Sequence, residues 1–96
     1  GSQALLGSTV KFLVRSNDQL WISYGYMGRG LSIYDLETKK LSHITSRQGL
    51  LMEHIEKFGF DGNHRIWLKS VHDGIAYHDV EPLLKSAVHD TLLLKN

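Results

Sequence analysis

The sequence predicts an all-β fold built from two related, four-stranded antiparallel units, and three observations predict it. Two stretches repeat one another: Trp21 and Trp67 stand 46 residues apart, and at that offset Lys11 meets Lys57, Phe12 meets Phe58, Val14 meets Phe60, Asn17 meets Asn63, Leu20 meets Ile66 and Ile22 meets Leu68. Beyond the tryptophans the offset falls to 44, so that Gly30 meets Gly74, Leu31 meets Ile75 and Asp35 meets Asp79. A period in the mid-forties is that of repeated four-stranded units, each of which needs a neighbour to cover its faces. Within each unit, short runs rich in β-branched and aromatic residues are separated by turn-forming residues.

The elements follow in order. Val10 to Arg15 alternates apolar Val10, Phe12 and Val14, with Leu13 breaking the pattern. Ser16-Asn17-Asp18 supplies a turn, and Leu20 to Tyr24 reads as the second strand. The stretch Gly25 to Gly30 connects it to a third strand, Gly30 to Asp35, with Leu31 and Ile33 on one face. After Glu37-Thr38-Lys39-Lys40, Leu41 to Thr45 puts Leu41, His43 and Thr45 on one face and Ser42 and Ile44 on the other. The second unit repeats this with Ile55 to Phe60, the turn Asp61-Gly62-Asn63, Arg65 to Ser70 and Gly74 to Asp79. The tail departs from the repeat. Leu83, Leu84, Ala87 and Val88 suit one helical face behind Pro82, whereas Thr91 to Lys95 suits a strand; both readings stay open. The expected organisation is residues 1–9 as an N-terminal segment whose Gly1-Ser2 matches the remnant of a purification tag, 10–54 and 55–80 as the two units, and 81–96 as a helical or exchanged-strand tail.

Composition removes several classes of function. With 42% apolar and 22% charged residues the chain is globular rather than disordered. Eleven basic against ten acidic residues leave a net charge of +1, which argues against a dedicated nucleic-acid or anionic-membrane binder. The absence of cysteine excludes disulfides, thiolate metal sites and cysteine nucleophiles. No apolar run is long enough to cross a membrane as a helix.

The segment Gly30-Leu31-Ser32-Ile33-Tyr34-Asp35-Leu36-Glu37-Thr38-Lys39-Lys40-Leu41-Ser42-His43-Ile44-Thr45 resembles the GL-x-x-YD-x-x-T-x-x-(L/F)-x-H-(Y/I)-T core of two-component regulator propeller repeats. Gln48-Gly49-Leu50 followed by Ile55 resembles the link to the next blade, and Asp61 with Ile66-Trp67 resembles the D-x-x-G-x-(L/I)-W motif, whose second half Leu20-Trp21-Ile22 also matches. The resemblance runs from about Val10 to Asp79. It departs at Arg15, where the repeat has Asp; at Asp18 and His64, where it has a turn glycine; and at Ser23-Tyr24 and Lys69-Ser70, where it has Gly-Thr. It implies two β-propeller blades of a partial propeller, to which the tail, by its own spacing, would add a short C-terminal helix or a strand. It further implies a piece of the periplasmic or otherwise extracytoplasmic sensor of a membrane-anchored histidine-kinase receptor, which binds a carbohydrate or other small molecule.

Candidate binding residues are Tyr24, Tyr26 and Arg29 on the glycine-rich connection, with His72 and Asp73 on the equivalent connection of the second unit. Function concentrates on loops held by a rigid scaffold. Trp21 and Trp67 occupy equal places in the repeat and are expected as core, so that Trp67→Ala would cost roughly 3–5 kcal/mol. The six histidines lack metal-ligand spacing, no G-x-S-x-G elbow is present, Asp61-Gly62-Asn63 lacks the later acidic ligands of a calcium loop, and Gly28-x-Gly30 lacks the rest of a dinucleotide motif. The expectation is therefore a ligand-sensing or scaffolding fragment with no cofactor, metal or catalysis. Its rivals are a fragment of a propeller lyase and an interaction module that pairs through exposed strand edges. Two blades leave a face and an edge open, so further blades or self-association are expected.

Overall fold

A computed structural model of the chain describes residues 10–24 and 28–89. Phe12–Ser16 (β1), Gln19–Ser23 (β2), Leu31–Asp35 (β3) and Leu41–Ile44 (β4) form a consecutive antiparallel meander. Lys57–Phe60 (β5), Arg65–Ser70 (β6) and Gly74–Asp79 (β7) form a second one. The tail forms a helix, Val80–Ser86 (α1), shorter than the expected face that ran to Val88, and then an unexpected short strand, Val88–His89 (β8). β8 pairs with β4, so the first sheet has five strands in the order β1-β2-β3-β4-β8 and the second has three. The expected four-plus-four division is thus replaced by five plus three. The segment 91–95, read as a strand that could exchange between copies, lies outside the described residues.

The helix begins at Val80 because Asp79 ends β7 in an extended conformation and Pro82 falls in the first turn, where its missing N–H would have no intrahelical acceptor. Glu81 lies in the first turn and Lys85 in the last, matching the helix dipole, and the two meet at 3.4 Å. Leu83 is the buried residue of this helix, which packs against β4 and β7 and returns the chain to the first sheet.

The core lies between the two meanders. Trp21, Leu31, Ile33 and Ile44 face Phe58, Ile66 and Leu68, and the connection contributes Leu50, Met52 and Ile55. Phe12 meets Phe58 edge to face at 5.4 Å, and Trp21 meets Phe60 likewise at 5.2 Å. Both geometries are favoured by the ring quadrupole.

Trp67 corrects the expectation drawn from the repeat. Trp21 is wholly buried, but Trp67 is 39% exposed on the outer face of the second sheet. The physical reason is the direction of stacking. The first sheet turns its tryptophan face toward the second, which answers with its Ile66 and Leu68 face, so the tryptophan face of the second sheet points away from both. The first hairpins also differ. Ser16 pairs with Gln19 across a two-residue turn in which Asn17 takes φ 56°, whereas Asp61 to His64 separate β5 from β6 and His64 takes φ 59°. Val14 therefore pairs with Trp21, but Phe60 pairs with Ile66, one residue short of the repeat. A one-residue change of register moves side chains to the opposite face. Phe58 and Phe60 consequently share the core with Ile66 rather than lying beside Trp67.

Candidate functional site

The glycine-rich connection delivers Arg29 to an open cleft at the β3–β4 side of the first sheet. Two glycines fix it there. A Cβ on Gly28 would overlap Tyr24, and one on Gly30, which takes φ 79°, would overlap the Ile44 carbonyl. The Gly30 amide donates to the Glu53 carbonyl at 2.8 Å, tying β3 to the connection that follows β4. Arg29 itself is exposed between these anchors.

The cleft encloses about 620 Å³, and Arg29, His43, Arg47, Glu53 and Val88 form its chemically distinct walls. Arg47 sits on a 3-10 turn, Ser46–Gln48, whose start is a capping box. The Thr45 hydroxyl accepts from the Arg47 amide at 3.2 Å, and the Gln48 side chain accepts from the Thr45 amide at 2.8 Å. Gly49 ends the turn at φ 94°. Glu53 folds back over this turn and accepts from the Ser46 amide at 3.2 Å. Hydrogen bonds from the Ser46 side chain and backbone, with smaller contributions from the Arg29 and His54 charges, hold its carboxyl below the ordinary glutamate value despite some desolvation. The cleft thus presents two guanidinium groups and one carboxylate that stays ionised.

His43 is set by a buried relay. Tyr24 donates from its hydroxyl to Ser32 Oγ at 2.8 Å, and Ser32 Oγ lies 2.8 Å from His43 Nδ1. Ser32 and His43 are direct partners across β3 and β4. Ser32 Oγ therefore bridges the Tyr24 hydroxyl and the His43 ring. Ser32 is wholly buried, so its oxygen has no access to a bound molecule. The relay orients the imidazole without making the serine a nucleophile. A second serine–histidine pair, Ser42 Oγ to His89 Nδ1 at 2.9 Å, lies on the opposite face of the first sheet and fastens β8 to β4.

The sequence-derived candidates therefore separate. Arg29 lines the cleft, and Tyr24 acts behind it through Ser32 and His43. Tyr26 lies outside the described residues. His72 and Asp73 form the exposed β6–β7 turn, where their amides donate to Ser70 Oγ at 3.3 and 3.4 Å, and neither lines the cleft. His43, Arg47, Glu53 and Val88 join the site without having been singled out. His43 was legible through its pairing with Ser32 once the β3–β4 turn is centred on Leu36 to Lys40, but Glu53 and Val88 carry no local signal. Among the described residues no group of three or more His, Asp or Glu side chains is arranged to hold a metal ion. Comparisons with protein-family models, curated proteins and solved structures returned no match.

Proposed function

We propose that this chain is a non-catalytic binding module that takes a small acidic sugar or a similar hydroxylated carboxylate in the Arg29–Arg47 cleft. The observation that carries the reading is the pair of guanidinium groups on two independently anchored loops, opposed by the single carboxylate of Glu53. Guanidinium groups bind carboxylates through charge-assisted hydrogen bonds, and Glu53 is left to accept from hydroxyls. His43 adds a ring nitrogen whose orientation is set from below. The two meanders stack face to face and support the resemblance to propeller blades. By the motif resemblance alone the chain would be a piece of an extracytoplasmic sensor in a two-component receptor, with the cleft as the point of ligand detection.

Calorimetric titration with glucuronate, galacturonate and neutral glucose tests the proposal. Binding of a uronate and weaker binding of glucose are expected. Arg29→Ala and Arg47→Ala should each lower affinity at least about tenfold, since a charge-assisted hydrogen bond is worth roughly 1.5–3 kcal/mol. Thermal stability should stay nearly unchanged, because both side chains are exposed. Equal affinity for glucose, or a uronate affinity untouched by both substitutions, would overturn the assignment.

A further inference from the structure

The outer face of the second sheet is built in three rows across its strands. Lys57, Lys69 and Ile75 form the first, Gly59, Trp67 and Tyr77 the second, and Asp61, Arg65 and Asp79 the third. The middle row is an aromatic platform: the Trp67 and Tyr77 rings lie 4.9 Å apart and 38° from coplanar, and a Cβ on Gly59 would meet open space. Arg65 lies over both rings at 5.7 and 5.0 Å, and Trp67 Nε1 donates to Asp61 at 2.6 Å, so the platform is held rather than loose.

The repeat says what such a face is for. Trp67, Ile75 and Tyr77 correspond to Trp21, Leu31 and Ile33. In the first sheet these three are 0%, 0% and 3% exposed because a β-meander covers them. In the second sheet their counterparts are 39%, 69% and 47% exposed. Three large apolar side chains sharing one sheet face mark an interaction surface. Among the described residues, the chain does not continue from β7 over this face, since α1 and β8 carry it back to β4.

We propose that a second copy of this chain covers the Trp67 face, with the two outer faces meeting about a twofold axis that lies between the sheets and runs across the strands along the Gly59–Trp67–Tyr77 row. Charge selects this arrangement. That axis sets β5 over β5, β6 over β6 and β7 over β7, so Lys57 of each copy meets Asp61 of the other, while Lys69 meets Arg65 and Ile75 meets Asp79; the favourable contact is the Lys57–Asp61 pair, made twice. An axis parallel to the strands would oppose lysine to lysine, which is unfavourable. The interface is self-complementary and closes at two copies. Aromatic rings at the centre and charged groups at the rim match the anatomy of protein interfaces.

Light scattering over a dilution series, with the emission of the Trp21→Phe variant followed in parallel, tests the proposal. The mass should rise from 10.9 kDa to twice that value, and the Trp67 emission should move to shorter wavelength over the same range. Ile75→Glu, which would face Asp79 of the second copy, and, separately, Lys57→Glu, which would face Asp61, should each hold the mass at the monomer value, with the far-ultraviolet dichroism of the native fold retained; both residues are exposed, so neither substitution disturbs the core. A monomer at every concentration overturns the proposal. So does a dimer that neither substitution weakens, or a mass that grows beyond two copies, which would indicate head-to-tail stacking.

Discussion

Replacing each tryptophan by alanine separates a core position from a platform position. Both rings bring about 220 Å² that can be covered on folding, the usual range being roughly 150–250 Å². Trp21 is wholly buried, so its loss removes about 5 kcal/mol at ~25 cal/mol per Å². The compactness of the unfolded chain lowers this to about 4 kcal/mol, inside the range for large aromatic truncations. Trp67 is 39% exposed, leaving about 130 Å² covered, and the same arithmetic gives about 2 kcal/mol. No closed cavity forms there, because solvent reaches the vacated space. Urea unfolding followed by circular dichroism, at protein concentrations low enough to keep the chain monomeric, measures both. Trp21→Ala should be the more damaging by about 2 kcal/mol. Equal losses would show that Trp67 is covered within one chain and that the stacking direction is wrong.

Three further outcomes follow from the same contacts. Ser23 is wholly buried and its hydroxyl has no hydrogen-bond partner among the described residues, so Ser23→Ala should leave stability unchanged or raise it by up to about 1 kcal/mol in a urea titration; a loss above that would place a hidden partner on its oxygen. The hydrogen bond from Trp67, reinforced by the Asn63 and Arg65 amides and the Arg65 charge, lowers the Asp61 pKa to about 2. The folded value lies below the unfolded one, so this stabilisation is complete above about pH 4 and is lost as pH falls through about 2; carbon NMR of the carboxyl should show the low value, and Trp67→Phe should move it upward. Gly30→Ala should cost more than about 2 kcal/mol, because φ 79° and the Ile44 carbonyl both exclude a side chain there; a thermal midpoint equal to wild type would mean that the loop is not pinned as described.

The hairpins were the most legible part of the fold. Arg65–Ser70 and Gly74–Asp79 match the sequence reading residue for residue, because alternation and Gly74, at φ 80°, mark the strands and the end of their turn. Alternation shows which residues share a face, but not which face finds a neighbour, and for that reason the exposure of Trp67 was hidden. The return of the tail was equally hidden: two residues, Val88 and His89, are too short a strand to carry a pattern, and their pairing with Ser42 and His43 is decided by where α1 points. At the site, Gly28 and Gly30 exposed Arg29 to sequence reasoning, since closely spaced glycines signal backbone packed without room for side chains. Glu53 is held at the cleft by the Gly30 amide on its carbonyl and the Ser46 amide on its carboxylate, contacts made across the fold with no signal in the local sequence.

The direction in which the two sheets stack decides which tryptophan is core, and a nuclear Overhauser spectrum of the aromatic protons reads it directly. Cross-peaks are predicted between the Trp21 and Phe60 rings, 5.2 Å between centroids, and between Phe12 and Phe58, while the Trp67 ring of the dilute protein should show them to Tyr77 and to no phenylalanine. Cross-peaks from Trp67 to Phe12 or Phe58, with none from Trp21 to Phe60, would contradict it.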